Sequence, residues 1–225
     1  MKILCISDTH GQHSHFTDQI QSIDAAVLIH AGNITADGSF PNLKEFLTWL
    51  RDFKHIPHKL FVGGNHDRIL EAEASYMATL RNLLARYNIW YLHHESIGID
   101  GVNFYGSSYS PEFMNWPFMY RRGEPAQALW DMIPQNTDVL ITHTPPFGIL
   151  DEVIGRGGSV RTGDNVGCKD LLDRVNLLNP MLHVFGHIHN GYGCTSEINV
   201  KTSFINAALL NEQYRPVNKP ILVEI

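Results

Sequence analysis

Five short apolar runs in this chain each end abruptly in polar residues that can bind a ligand or take part in chemistry. The five polar motifs are Asp8-Thr9-His10, Gly32-Asn33, Gly64-Asn65-His66-Asp67, His143 and Gly186-His187-Ile188-His189. Short apolar runs predict buried β-strands, and sites in α/β proteins form at the carboxyl ends of strands. The pattern therefore predicts an α/β fold in which five separate segments deliver side chains to one edge.

Helical patterns alternate with these strands along the chain. The predicted helices cover 42–53, 71–87 and 169–177, the predicted hairpin covers 97–105, and the other predicted strands cover 2–7, 25–30, 59–63, 139–142, 182–185, 202–207 and 221–225. Apolar residues recur at helical spacing in the helices, and the turn Asp100-Gly101 favours the hairpin. Because no repeat, low-complexity tract or linker interrupts the sequence, we expect one α/β domain over 1–225.

The spacing within the motifs suits metal binding. Residues i and i+2 of an extended backbone point to the same side, so Asp8 and His10 can reach one ion, and His187 and His189 can serve one cluster. The glycines in three of the motifs allow sharp turns and a close approach of the backbone. The mixed nitrogen and oxygen donors suit Mn, Fe, Zn or Ni better than Ca. Any one motif also fits a surface loop, so the prediction rests on the order of all five.

The order DTH, GN, GNHD, TH, GHIH resembles that of the calcineurin-like metallophosphoesterase superfamily, whose motifs run D-x-H, G-D, G-N-H-D/E, H and G-H-x-H. The segments NWPF (115–118), THTPPFGILD (142–151), NVGCKDL (165–171) and FINAA (204–208) resemble the metallophosphoesterase-domain-containing branch. Some members of that branch hydrolyse cyclic nucleotides. The resemblance covers the whole chain and implies an α/β fold of the four-layer αββα sandwich type, with hydrolysis of a phosphoester that depends on two metal ions.

The resemblance also implies a role for each motif residue. The implied ligands are Asp8, His10 and His189 for one divalent ion, Asn65, His143 and His187 for the other, and Asn33 as the bridge between them. His66 is implied to lie beside the scissile phosphate as an acid or charge stabiliser, and Asp67 to orient its ring. Two ions about 3.5–4 Å apart can activate a hydroxide and neutralise phosphoryl oxygens. We favour Mn for both positions.

Asn33 departs from the family pattern, which has aspartate at this position. A carboxylate can bridge two cations with one oxygen each, whereas a neutral amide has one good ligand oxygen and no charge. We therefore expect weaker occupancy of at least one metal position and slower hydrolysis. A natural variant and a deliberate substitution that traps a ligand both explain Asn33, and the intact remaining ligands favour the second.

Two further segments are candidates for choosing the substrate. The irregular loop 107–122 carries the candidate substrate-binding residues Asn115, Trp116, Arg121 and Arg122. Aromatic rings can stack on a base and arginines can pair with phosphate, although a packed loop with solvated arginines explains these residues equally well. The glycine-rich stretch 155–165 is a candidate lid over the site.

Composition restricts the partners and the location. The formal net charge is −6, whereas proteins that grip long nucleic acids carry basic surfaces. A small phosphorylated substrate is therefore favoured over extended nucleic acid, and a nuclease is disfavoured; the resemblance implies that this substrate is a nucleotide. Asp8 interrupts the first apolar run, which argues against a signal peptide, and no stretch has the length of a membrane span. We expect a cytoplasmic protein without a membrane partner. A phosphomonoesterase and a phosphate-binding pseudoenzyme silenced by Asn33 remain the alternatives to a phosphodiesterase.

Overall fold

Two β-sheets face each other in the computed structural model, which describes residues 1–71, 74–154, 161–195 and 201–225. The strands are β1 (Lys2–Ile6), β2 (Val27–His30), β3 (His58–Phe61), β4 (Ile89–Tyr91), β5 (Glu95–Ile99), β6 (Val102–Ser107), β7 (Ser110–Pro111), β8 (Met119–Tyr120), β9 (Val139–Thr142), β10 (Leu182–Phe185), β11 (Gly193–Cys194), β12 (Ser203–Asn206) and β13 (Ile221–Glu224). The α-helices are α1 (Thr17–Gln21), α2 (Phe40–Asp52), α3 (Ala74–Ala85), α4 (Glu124–Asp131) and α5 (Lys169–Leu178), and short 3-10 helices cover His13–Phe16, Arg68–Glu71 and His189–Gly191.

Parallel pairing dominates the centre of both sheets. The first sheet has the order β13-β1-β2-β3-β4, and only β13 runs antiparallel to its neighbour. The second has the order β11-β12-β10-β9-β6-β5, with antiparallel pairs only at its two edges. A small parallel pair, β7 and β8, lies apart from both. Parallel strands are covered on both faces, which explains why these segments are mostly apolar rather than strictly alternating.

Alternate residues of each central strand serve two different interfaces. In β1, Leu4 and Ile6 pack toward the helices, whereas Ile3 and Cys5 pack toward the second sheet, as the two-residue period of a strand requires. The residues buried between the sheets include Ile3, Cys5, Val27, Ile29, Leu60, Val62, Phe104, Val139, Ile141, Leu182, Val184 and Ile205. Helix α2 covers the outer face of the first sheet with Leu43, Phe46 and Leu50, and α4 and α5 cover the second with Trp130, Leu171 and Val175. The predicted four-layer αββα sandwich is confirmed.

Most predicted elements form close to their predicted bounds. Strands 139–142 and 182–185 form as predicted, and α2 begins at Phe40 because Pro41 fits the first helical turn. Helix α5 ends where Asn179 adopts the left-handed conformation, φ 50°. The structure does not describe residues 72 and 73 of the predicted helix 71–87. Residues 155–160 of the predicted lid also lie outside the described part of the chain. Within the described part of the chain, no helix is long and apolar enough to cross a membrane.

Candidate metal centre

Asp8, His10 and His189 bring three possible ligand atoms together at the carboxyl edge of the two sheets. All three side chains are buried, and one ligand atom of each lies within 4.8 Å of the others. His189 Nε2 is 3.4 Å from Asp8 Oδ1 and 3.3 Å from His10 Nε2. The other ring nitrogen of His189, Nδ1, lies 3.0 Å from the Asn211 carbonyl oxygen, which fixes the ring and aims Nε2 into the cluster. We call these three residues the Asp8 cluster.

The electrostatics of the Asp8 cluster fit a cation. Burial alone would raise the pKa of Asp8, but the hydrogen bond and charge of His189 hold it well below its usual range. Burial alone would lower the pKa of His189, but its hydrogen bond to Asp8 and the charge of that carboxylate raise it to about 9. Burial lowers the pKa of His10 to about 3. A carboxylate that holds a proton on a neighbouring imidazole in a buried site can hold a divalent ion there instead, with release of the proton.

A second set of donors, the Asn65 cluster, consists of Asn65, His143 and His187. Asn65 Oδ1 lies 2.9 Å from His143 Nε2 and 3.1 Å from His187 Nδ1. His143 Nδ1 lies 2.9 Å from the Ala31 carbonyl oxygen, which can only accept, so Nδ1 carries the proton. When the His143 ring is neutral, the lone pair of its Nε2 therefore faces a lone pair of the Asn65 amide oxygen, and these two lone pairs repel each other. A cation between these two atoms removes that conflict, so this donor set also fits a metal ion.

Asn33 lies between the two clusters, as the sequence predicts for the bridging position. Its Nδ2 donates to Asp8 Oδ1 at 3.0 Å and to Asn65 Oδ1 at 3.2 Å. Its Oδ1 accepts from the backbone N–H of His66 at 2.9 Å. The atom that faces both clusters is a hydrogen-bond donor and cannot ligate a cation.

The loops that carry these residues are strained and tightly packed. Asp8, Asn33 and His187 have left-handed backbone with φ of 52°, 57° and 69°, a conformation that Asn, Asp and His adopt more readily than other non-glycine residues but still at a cost. Close approach also explains two motif glycines. A Cβ at Gly186 would lie 2.0 Å from Asp8 Oδ2, and one at Gly64 would lie 2.4 Å from Asn33 Oδ1.

His66 faces the cavity beside the Asp8 cluster. Its ring centroid lies 4.6 Å from that of His10 and 4.2 Å from that of Trp116, both edge-on. Burial, reinforced by the proximity of His143, lowers the pKa of His66 to about 4. Near neutral pH the ring is therefore uncharged in this structure, and it can donate one N–H to a bound phosphate.

Asp67 has a different role from the one that the resemblance implies. Its Oδ1 accepts from the backbone N–H and the hydroxyl of Thr35, both at 2.8 Å, and its Oδ2 accepts from Ile34 N at 3.1 Å and Gly64 N at 2.9 Å. Both oxygens are thus engaged by the loop after β2 and by Gly64 rather than by the His66 ring. Asp67 joins the second and third motif loops, and the orienting role is corrected accordingly.

A cavity of about 1050 Å³ opens over both clusters. Trp116 lines it. Arg122 also lines it, but its guanidinium donates at 2.7 Å to the carbonyl oxygens of Gly167 and Val166, which makes it a packing residue. Arg121 lies at the surface, with 82% of its side chain exposed.

Neither Asn115 nor Arg121 is among the residues that the structure describes as lining the cavity. The predicted substrate-binding roles of Asn115, Arg121 and Arg122 are therefore not supported by this arrangement. Asn115 contributes its backbone oxygen to a contact with Arg68.

Phe147, Lys169 and Tyr214 are among the cavity residues that the sequence did not single out as site residues. Lys169 Nζ lies 4.8 Å from the centroid of the Phe147 ring, and both residues line the cavity. Tyr214 lines it as well, with its ring centroid 4.9 Å from that of His10. Phe147 and Lys169 fall within the segments 142–151 and 165–171 that carry the family resemblance, so that resemblance was the available signal. Tyr214 lies in a polar stretch without a motif.

Comparison with known proteins identifies the same family as the order of the sequence motifs. The sequence model of the family "Calcineurin-like phosphoesterase" matches residues 1–191. "Metallophosphoesterase domain-containing protein 1" of Homo sapiens is 34% identical over 247 residues, which cover 100% of this chain and 71% of that protein. "UPF0046 protein K07C11.7" of Caenorhabditis elegans is 38% identical over 241 residues, which cover 100% and 75%. The solved structure of TT1561 of Thermus thermophilus is similar with a TM-score of 0.62 at 16% identity, over 91% of this chain and 88% of that one.

Proposed function

Because this chain belongs to the calcineurin-like phosphoesterase family, whose members carry out metal-dependent phosphoester hydrolysis, we propose that it hydrolyses a phosphodiester of a small nucleotide, cyclic nucleotides included. Two divalent ions, with Mn favoured, are the proposed cofactors, at the Asp8 and Asn65 clusters. The proposed location is the cytoplasm, and the proposed partner is a small phosphorylated substrate rather than nucleic acid or a membrane.

The observation that carries the proposal is the convergence of both clusters on one cavity. Metal bound there supplies a Lewis acid that polarises the phosphoryl group and activates water near neutral pH. Asp8, His10 and His189 would hold one ion, and Asn65, His143 and His187 would hold the other. His66 lies at the cavity wall, where its neutral ring can donate a hydrogen bond to a phosphoryl or leaving-group oxygen.

The cavity supports a small nucleotide as the substrate. Its volume lies just above the range of about 300–1,000 Å³ that is typical of small-ligand sites. Phe113, Trp116 and Phe147 offer aromatic surface on which a base can stack. The net charge of −6 disfavours a long polyanion, whereas Lys169 supplies a local positive charge within the cavity.

Asn33 favours a second candidate function, a phosphate-binding protein with little or no turnover. Its amide nitrogen faces both clusters at 3.0 and 3.2 Å, where the family places a carboxylate. Replacing that carboxylate by an amide removes a bridging ligand without removing the cavity. Such a protein would still bind a phosphate ester but would hydrolyse it slowly.

One panel of assays tests both candidates. The chain and its Asn33→Asp variant are incubated with Mn²⁺ and a cyclic nucleotide, bis(p-nitrophenyl) phosphate or p-nitrophenyl phosphate, and product is measured. We expect Asn33→Asp to raise turnover by orders of magnitude, because the missing bridging carboxylate is restored, and we expect both diesters to be cleaved faster than the monoester.

An Asp8→Asn, Asn33→Asp double variant is the matched control, and it should not show the higher turnover of Asn33→Asp. Faster cleavage of the monoester than of both diesters would select the phosphomonoesterase. An Asn33→Asp protein that binds two ions and cleaves no phosphoester would refute the enzyme and leave the binding protein.

A further inference from the structure

We propose that the two clusters fill unequally, so that the Asp8 cluster retains one divalent ion while the Asn65 cluster takes up a second ion only weakly, because Asn33 turns an amide N–H₂ group toward both. This inference rests on the metal dependence in the proposed function, but it does not depend on any particular substrate. It follows from the orientation of one amide and from the distribution of charge around the two clusters.

The orientation of the Asn33 amide is fixed by its surroundings. The backbone N–H of His66 points at Asn33 Oδ1 from 2.9 Å, and only an acceptor can satisfy it. A rotated amide would set N–H₂ against this N–H and would also lose the bonds to Asp8 and Asn65, at 3.0 and 3.2 Å. Asn33 is 2% exposed, and Gly64 leaves no more room beside its oxygen than a hydrogen needs. The nitrogen therefore stays on the side of the clusters.

The amide hydrogens affect both clusters. Each of them points at an oxygen that a metal ion would use, Asp8 Oδ1 on one side and Asn65 Oδ1 on the other. An ion at either cluster must compete with such a hydrogen bond and lies near its partial positive charge. Asp8 withstands this competition because its carboxylate carries a full negative charge, whereas Asn65 offers only the dipole of an amide.

The charges of the two clusters differ for the same reason. The Asp8 cluster contains one carboxylate and two imidazoles, and the Asn65 cluster contains an amide and two imidazoles. Asp67 is the carboxylate next in sequence to the Asn65 cluster, but it is fully buried and both its oxygens are engaged by Ile34, Thr35 and Gly64. A dication at the Asn65 cluster would thus be buried without an anionic ligand of its own, which is costly. In the family pattern, the aspartate at position 33 supplies that charge.

Metal titration of the intact chain tests this inference. The protein is stripped with EDTA and titrated with Mn²⁺ by equilibrium dialysis, with metal counted by elemental analysis and no substrate present. We expect one ion to bind tightly and a second to bind at least about tenfold more weakly, as the loss of a supporting ligand group typically costs. Asn33→Asp should bind two ions with closely similar affinity and give the exchange-coupled electron paramagnetic resonance signal of a Mn²⁺ pair.

Three further variants identify the sites and the cause. Asp8→Asn should abolish the tight ion, whereas His143→Ala should leave it in place. Asn33→Ala removes the competing amide hydrogens without adding charge, so it should bind the second ion more tightly than the unaltered chain but more weakly than Asn33→Asp. Equal affinity for two ions in the unaltered chain, or loss of the tight ion in His143→Ala, would overturn the inference even if Asn33→Asp failed to fold.

The unequal filling of the two clusters and the proposed function can be refuted independently. If two ions bind equally and a phosphodiester is cleaved, the unequal filling is refuted and the proposed function stands. If one ion binds tightly, Asn33→Asp binds two, and no phosphoester is cleaved, the unequal filling stands and the proposed function is refuted.

Discussion

His66 is the residue whose chemistry can be tested most directly, because it touches the cavity without belonging to either ligand cluster. Its ring is uncharged near neutral pH, since burial lowers its pKa to about 4. In the unliganded site it is therefore a neutral N–H donor, and it can act as a general acid only when the negative charge of a bound phosphate raises its pKa and the ring takes up a proton. Its edge-on contact with Trp116, at 4.2 Å between centroids, holds the ring at the cavity wall.

We expect His66→Ala, added to Asn33→Asp, to lower kcat by about 10²–10⁴-fold while both ions stay bound, because help from a general acid is worth that much. The loss should shrink for a nitrophenyl diester, whose leaving group needs little protonation. The measurement is kcat on a nitrophenyl diester and on an alkyl diester, together with metal content.

His66→Gln is the matched variant, since it keeps an N–H donor but cannot act as an acid. Its kcat on the alkyl diester should be little higher than that of His66→Ala. An equal loss on both diesters, or departure of a metal ion, would rule out the acid role.

The residues whose roles the sequence missed have partners far away along the chain. Asp67 accepts from Thr35, 32 positions away, and Arg122 donates to Gly167, 45 positions away. No local pattern reports such a contact, so the sequence predicts Asp67 as a partner of the adjacent His66 and Arg122 as a candidate substrate-binding residue. By contrast, Asp8 and His10 were placed together from sequence because both lie in one short motif at a strand end.

At the scale of elements, strands and their following loops were predictable for a physical reason. The runs 139–142 and 182–185 are apolar except for Thr142 and His183 because parallel strands are covered on both faces, and each forms as predicted. Helix α4 (Glu124–Asp131) was missed, since it has two turns and only Ala126 and Trp130 are buried. Short elements carry too little periodicity to be recognised.

The turn after β10 gives a prediction at this scale. Gly186 lies where a Cβ would come within 2.0 Å of Asp8 Oδ2 and 2.1 Å of Ser7 Oγ. We expect Gly186→Ala to displace Asp8 and so to weaken the tight Mn²⁺ site at least about tenfold, in line with the effect of disturbing groups that position ligands. Equilibrium dialysis with Mn²⁺ measures this affinity, and thermal unfolding reports the accompanying loss of stability.

Gly98→Ala is the control, because a Cβ at Gly98 would meet only Asn103 Oδ1, at 3.9 Å, within β5. It should leave Mn²⁺ affinity unchanged. Equal affinities in both variants would show that the close approach at Gly186 does not position Asp8.

At the scale of the whole molecule, neither sheet can build the site alone. The Asp8 cluster takes Asp8 from the loop after β1 and His189 from the segment after β10, which belong to different sheets. The Asn65 cluster likewise joins Asn65, after β3, to His143, after β9. The site therefore depends on how the two sheets are packed against each other, which is why its distances could not be predicted from the sequence even though its members could.

The packing of the sandwich also buries histidines that have no part in the clusters, and His183 in β10 is the clearest case. Its Nε2 lies 2.8 Å from Thr142 Oγ1, whose own proton goes to the Thr144 carbonyl oxygen, so Nε2 is the donor. Nδ1 is left without a partner among the described residues, and the ring packs against Phe185 and Phe204. A proton on Nδ1 would place a charge in this apolar environment, so burial lowers the pKa of His183 to about 3.

This geometry predicts that acid weakens the fold through His183. Because the folded pKa is depressed, the unfolded chain binds one more proton than the folded chain between about pH 6.5 and pH 3, so stability is full above that window and is lost as the pH falls through it. We expect the free energy of unfolding to fall by up to about 1.4 kcal/mol per pH unit for this residue. His183→Gln keeps a donor for Thr142 and cannot titrate, so its stability should fall less steeply.

The measurement is urea unfolding at pH values from 7 to 4 with EDTA present, so that metal release does not contribute. Phe204→Leu serves as the control, since it removes packing beside the same ring without removing the titrating group. It should lower the free energy of unfolding at every pH by about the same amount and leave its dependence on pH unchanged, because a packing defect exchanges no protons with the solvent. If the free energy of unfolding falls as steeply with pH in His183→Gln as in the unaltered chain, His183 does not couple protonation to folding.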